Sequence, residues 1–204
     1  MTLTEEVAKI KLEYLRNEIE HKAIYRCRPG ETIPGKIANT RYIWQFYLRR
    51  CLYDPRFVFT AAELLVDRLP SRYFQVAACE DAGVTLGLAM ASILGTPMLS
   101  VKKERKVYGL YNFTEGPIVG LPILLVDDLA GSHDTLRKAS RTLQLFNLPV
   151  AKEYVTLINK TQGTHDSYLK DRELINLFTC DDFAMTWDAY LAKYQREPRF
   201  GQHY

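Results

Sequence analysis

What this chain lacks narrows it first. No apolar run approaches the roughly 20 residues of a membrane span, and the opening stretch, with Glu5 and Glu6, reads as neither a signal nor a transit peptide. A cytoplasmic protein that stays out of membranes is the expectation. Cysteine is scarce: Cys27, Cys51, Cys79 and Cys180 are scattered without the paired spacing of a zinc site or a disulfide framework, so reduced thiols are expected. A formal net charge of +3 is too small to imply nucleic-acid binding without a localised basic patch. Gly-x-Ser-x-Gly and Walker-type loops are absent, and His21, His165 and His203 lack the spacing of a metal site or a nucleophile-base pair. What remains is ordinary globular composition, 47% hydrophobic and 25% charged, over 204 residues, enough for a single domain with a sizeable core.

Along the chain, helical and strand periods alternate. Thr2 and Glu5 fit a capping box, and Val7, Ile10, Tyr14 and Leu15 recur at helical spacing, predicting an amphipathic helix to about His21. Residues 26–36 are rich in Pro and Gly and predict loop or turn. Residues 37–53 are dense in Arg41, Tyr42, Trp44, Tyr47, Arg49 and Arg50. Such interleaving can stack on nucleic-acid bases. In so short a run on a weakly basic chain, the aromatics are instead expected to fill a core or a subunit interface.

Thr60 with Glu63 forms a second capping box, predicting a helix through Leu64, Leu65 and Leu69 that Pro70 stops. A βα pattern follows: strand 74–78, helix 83–94, strand 98–101, strand 121–126 with its helix, then strands near 154–158 and 174–178. Residues 106–116 suit a hairpin or flap, and a final helix is expected from about Asp182 with Phe183, Trp187, Leu191 and Tyr194 on one face. The expected fold is α/β: a parallel sheet flanked by helices in one unit over 1–204, with hood elements at about 1–55, an α/β core at about 56–160 and a C-terminal strand and helix at about 170–196.

The stretch from Leu121 to Leu136 organises this pattern. An apolar run, Ile123 to Val126, reads as a strand buried on both faces and ends in Asp127 and Asp128. A small-residue loop follows, and from His133 the period becomes helical, with Leu136, Ala139, Leu143 and Phe146 on one side. Ligands of open α/β sheets bind beyond the carboxyl ends of strands, where the next helix offers free amides to an anion. Two adjacent carboxylates at such a place serve either a ligand or merely a turn.

The run Val126-Asp127-Asp128-Leu129-Ala130-Gly131-Ser132-His133-Asp134-Thr135-Leu136 resembles the phosphoribosyl-pyrophosphate (PRPP) signature of type I phosphoribosyltransferases, and the order of segments around it is similar to their orotate-type branch. Val76-Ala77-Ala78-Cys79-Glu80-Asp81-Ala82-Gly83-Val84-Thr85-Leu86 is similar to that branch's pyrophosphate loop, and Val101-Lys102-Lys103-Glu104-Arg105-Lys106-Val107-Tyr108-Gly109 followed by Thr114-Glu115-Gly116 looks like its basic flexible loop. Residues 29–36 resemble its N-terminal segment, with Glu31 where a basic residue is common and Lys36 as a substitute charge.

The resemblance implies that Asp127 and Asp128 bind the ribose hydroxyls and favour positive charge at the sugar, and that Lys106 assists catalysis. It puts Lys102, Lys103 and Tyr108, the last where the branch usually has His, together with Glu80 and Asp81 at the diphosphate. Gly131, Ser132, His133, Asp134 and Thr135 then surround the 5′-phosphate. Mg²⁺ is implied as cofactor, held mainly through PRPP, along with a homodimer in which the basic loop serves the neighbouring subunit. The implied activity is transfer of a 5-phosphoribosyl group from PRPP to a nitrogenous base, orotate or a pyrimidine-like one, with release of pyrophosphate.

Within the phosphate loop two residues depart from the pattern. His133 stands where the family has Gly, which opposes a tight backbone wrap. Asp134, in the first helical turn, is stabilised by the same amides and dipole that attract a phosphate, and so competes with it. These departures support an alternative, a phosphoribosyltransferase-fold protein with altered donor or lost catalysis that acts as a nucleotide-sensing or interaction module.

Overall fold

The computed structural model describes residues 3–28, 30–34, 41–102, 113–131, 133–160 and 172–184. Helix α1 (Leu3–Glu18) carries Glu5 and Glu6 in its first turn and Arg16 in its last, matching the helix dipole, and runs into a π-helical turn at Ile19–Ala23. Its packing face is not the one expected. Val7 and Ile10 are 43% and 61% exposed, whereas Leu15 and Ile19 are fully buried, with Ala8 and Leu12 against the same core. The stripe 8, 12, 15, 19 is longer and continues into the π turn, so it wins the contact with the body of the protein.

Four short strands follow: β1 (Ile24–Arg26), β2 (Ile33–Pro34), β3 (Arg41–Tyr42) and β4 (Trp44–Phe46). β1 pairs with β4 and β2 with β3, both antiparallel, so the segment expected to be loop over 26–36 is part of a nested hairpin. Trp44 and Phe46 bury the inward face, each ring edge-on to the next through Phe183, while Tyr47 and Tyr53 stay exposed. Of the aromatic run, then, only part serves the core. The one-turn helix α2 (Arg49–Leu52) is pinned by buried Cys51 and Leu52.

Helix α3 (Pro55–Asp67) begins five residues earlier than expected. Asp54 caps it, its carboxylate accepting from the Arg56 amide at 2.9 Å, and Pro55 fills the first helical position, where no N–H is needed. Thr60 is therefore an interior residue, its hydroxyl donating to the Arg56 carbonyl one turn back.

The core then alternates β5 (Gln75–Cys79), α4 (Gly83–Leu94), β6 (Leu99–Val101), β7 (Thr114–Glu115), β8 (Ile123–Ala130), α5 (Asp134–Leu145), β9 (Val150–Asn159) and β10 (Glu173–Thr179). The six-stranded sheet has the order β10-β9-β8-β5-β6-β7, parallel throughout except for the β6–β7 pair. Helices α3 and α4 and the hairpin share one apolar cluster; α5 seals the other face through Leu136, Ala139 and Leu143. Phe146, expected on that face, lies past the helix end and is 54% exposed. A 3₁₀ turn at Cys180–Phe183, with a Thr179–Asp182 capping box, stands where the final helix was expected to start, and Trp187, Leu191 and Tyr194 lie outside the described residues. Among the described residues no helix is long and apolar enough to cross a membrane, and none of the four cysteines forms a disulfide.

Strand order locates the candidate site. The chain leaves β5 toward β6, then returns to the other side of β5 for β8, so the order reverses between β5 and β8. At such a reversal the loops leaving neighbouring strands diverge and open a crevice at the carboxyl ends.

Candidate active site

The chain leaves the adjacent strands β5 and β8 at this crevice, entering α4 at Gly83 and α5 at Asp134. The acids are not beyond β8 but inside it. Asp127 is paired with Thr156 and Ala130 with Asn159, because the ten-residue β9 keeps offering ladder partners past the apolar run. Side chains alternate along a strand, so Asp127 is buried and Asp128 half-exposed on opposite sides. The Asp128 amide donates to Asp127 Oδ1 at 3.0 Å, which fixes that carboxylate's direction.

Helix α4 comes close to the same carboxylate. A Cβ on Gly83 would lie 2.9 Å from the Val126 carbonyl oxygen, 3.0 Å from Asp127 Cα and 3.2 Å from Asp127 Oδ1. Only glycine lets the helix start so near the acid, so Gly83 ties the turn after β5 to the end of β8.

Within the first turn the Glu80–Asp81 peptide is cis. Glu80 accepts from the Ser100 hydroxyl at 3.1 Å, and Asp81 pairs with Arg49 Nη2 at 3.5 Å. Lys102, expected at the diphosphate, is buried, and its ammonium pairs with Glu115. With the Lys102 amide donating to the Phe113 carbonyl and Gly116 at φ 118°, where a Cβ would meet the Met98 carbonyl oxygen at 2.4 Å, this pair closes the stem of the basic loop. Lys103, Lys106 and Tyr108 lie outside the described residues, as do Lys36 and Ser132.

At the second turn His133 takes the left-handed conformation, φ 56° and ψ 8°, that a glycine would supply, and its side chain is buried. The tight turn therefore forms with histidine in place, a residue type enriched in that region among non-glycines. Its carbonyl accepts the first bond of α5, from the Arg137 amide at 2.9 Å. Asp134 lies on the exposed side of that first turn with its carboxylate 3.5 Å from Arg137 Nη1, and Thr135 is half-buried beside Leu136. Among the described residues no cluster of three or more His, Cys, Asp or Glu is arranged to hold a metal ion by itself.

One residue at the carboxyl edge of the sheet was missed in the sequence. Lys160, just past β9, donates its amide to the Ala130 carbonyl at 2.7 Å and sets its ammonium 4.7 Å from the Tyr42 ring centroid and 4.6 Å from that of Trp44. The hairpin thus reaches over the carboxyl ends of β8 and β9. Burial holds the Lys160 ammonium below the usual lysine pKa, with the nearby Cys180 acting in the opposite direction. No motif marks a lysine whose partners lie more than a hundred positions away.

No family model matches the chain. It is 27% identical over 128 residues to an orotate phosphoribosyltransferase of Caenorhabditis elegans, covering 61% of this chain and 56% of that one. To the orotate phosphoribosyltransferase of Methanocaldococcus jannaschii it is 25% identical over 163 residues, covering 78% and 90%. The chain spans about three fifths of the length of the first two curated relatives it matches, 56% and 63%. In structure it is similar to a phosphoribosyltransferase from Corynebacterium diphtheriae, with TM-score 0.68, 18% identity and coverage of 85% and 98%. It is also similar to Mycobacterium tuberculosis orotate phosphoribosyltransferase in complex with PRPP, with TM-score 0.64, 13% identity and coverage of 85% and 91%.

Proposed function

Taking the chain as a member of the type I phosphoribosyltransferase family, with sequence similarity to its orotate branch, we propose that it moves a 5-phosphoribosyl group from PRPP to a nitrogenous base and releases pyrophosphate. One observation supports the reading: Asp127 and Asp128 and the starts of the turns after β5 and β8 lie at the carboxyl ends of the two adjacent parallel strands between which the order reverses.

The chemistry then follows from charge. As the bond from the anomeric carbon to pyrophosphate lengthens, positive charge grows on the sugar and negative charge on the leaving group. Asp127 and Asp128, held on the strand, favour the first, and the cationic side chains of Lys103 and Lys106 favour the second. The base nitrogen attacks the sugar carbon as pyrophosphate departs, so no covalent nucleophile is required. Hard oxygen ligands suit Mg²⁺, and in this reading the ion would be held chiefly by PRPP oxygens, with Asp127 and Asp128 as the carboxylates that could assist. When bound, it would neutralise diphosphate charge.

For the acceptor, Lys160 beside the half-buried Tyr42 offers a cation next to an aromatic ring. That combination suits a planar base bearing negative charge, as orotate does. A homodimer and a cytoplasmic location belong to the same reading. The second reading, a nucleotide-sensing module without turnover, draws on Asp134 in the first turn of α5 and the buried His133.

Calorimetric titration with PRPP, with and without Mg²⁺, tests both. Saturable, magnesium-dependent binding followed by pyrophosphate release with a base supports transfer. Binding of nucleotides with no release against any base supports the sensor, and no PRPP binding by folded protein rejects the transferase.

A further inference from the structure

The turn after β5 presents a charge problem. Its residues are Cys79, Glu80, Asp81, Ala82 and Gly83, so it brings two carboxylates and no cation of its own to the place assigned to a diphosphate. Like charges a few ångströms apart repel even at an exposed site. Lys102 does not offset them, because its ammonium is buried against Glu115.

The structure handles each acid from a distant part of the chain. Ser100 on β6 turns Glu80 toward the sheet through a 3.1 Å hydrogen bond. Asp81 stays outside, its side chain 75% exposed, and meets Arg49 from α2 at 3.5 Å. The backbone that carries Arg49 is anchored. The two residues after Arg50, Cys51 and Leu52, are fully buried, and the Cys51 thiol reaches the Glu18 carbonyl. The Arg49 side chain itself is 38% exposed, and a guanidinium has five donors, of which one contact to Asp81 uses few.

We propose that Arg49 is a diphosphate-binding residue delivered by the hood: it cancels Asp81 and turns its remaining donors to the diphosphate, replacing the cation that the turn does not carry. This rests on the phosphoribosyl-transfer reading of the crevice. In it Asp81 orients a guanidinium, as a carboxylate commonly does, rather than contacting ligand.

The test uses the whole chain and two probes measured calorimetrically in the presence of Mg²⁺, inorganic pyrophosphate and ribose 5-phosphate. Arg49→Gln is expected to weaken pyrophosphate binding roughly tenfold, the scale of one lost charge-assisted bond, and to leave ribose 5-phosphate unchanged. Arg49→Lys should recover part of the loss. The double variant Arg49→Gln with Asp81→Asn should also recover part, because the uncancelled carboxylate is gone. Wild-type pyrophosphate affinity in Arg49→Gln, or an equal fall for both probes, overturns the assignment while leaving the functional reading intact. No recovery in the double variant overturns the cancellation. If the wild type binds neither probe, the functional reading and this inference fall together.

Discussion

The two turns at the crevice are built in opposite ways. The turn after β8 is made largely from its own neighbourhood: Asp128 orients Asp127, the His133 carbonyl starts α5, and Asp134 pairs with Arg137 three residues on. The turn after β5 borrows its partners, Arg49 from 32 positions upstream and Ser100 from 20 positions downstream. A local turn keeps its chemistry wherever its strand and helix go. A borrowed one has its charge balance only in the folded protein.

The largest expected effect would break the self-contained turn. Asp127→Asn and Asp128→Asn should each lower turnover by about 10²–10³-fold, the scale of a lost transition-state charge contact. Pyrophosphate release measures it, with circular dichroism to check the fold. A loss in binding alone, with turnover intact, would make the acids ground-state contacts.

Gly83→Ala strikes where the two turns touch. The added methyl meets β8 backbone at 2.9 Å, so a loss of about 1–3 kcal/mol in stability is expected together with reduced activity. Urea unfolding at unchanged m value reads the first. A neutral variant would mean that α4 can move off Asp127 freely.

Lys160→Met sharpens the comparison by removing a third borrowed group. An acceptor KM about tenfold higher, with PRPP KM nearly unchanged, is expected from losing one charged contact. The pH dependence has a definite sign. The folded pKa of Lys160 lies below its unfolded value, so between the two the unfolded chain holds more protons and stability rises with pH. Below the folded pKa the buried charge is a constant cost. Lys160→Met should therefore raise the melting temperature slightly at neutral pH and flatten the alkaline rise, whereas acceptor affinity in the wild type should fall as pH climbs through the folded pKa.

The smallest effect concerns Asp134. Replacing it by Gly should strengthen ribose 5-phosphate binding by about two- to fivefold, the scale of one charge at a helix terminus. If affinity does not rise, Arg137, 3.5 Å away, already neutralises it.

Much of this architecture was legible without coordinates. The helix over 83–94 matches its expected bounds, and β5, β6, β8, β9 and β10 fall within a few residues of theirs, because period and turn residues are local signals, whereas the short hairpin strands β1 to β4 were not foreseen. The misses were contests between local and distant preference. Thr60 and Glu63 resemble a cap, but Asp54-Pro55 made a better one upstream. Val7 and Ile10 look like a packing face, yet the stripe leading to Ile19 reached the core. β8 ran on through its acids only because β9 was long enough to pair with them.

By itself, then, the sequence determined the alternation of strands and helices and the turn that follows two carboxylates, since each depends on residues a few positions apart. Tertiary structure decided which side of β5 receives β8, and so where the crevice lies. It also decided that Lys102 is buried against Glu115 and that Arg49 and Lys160 meet the site. Those outcomes depend on which segments the folded sheet and its hood bring within a few ångströms, and no spacing along the chain encodes that distance.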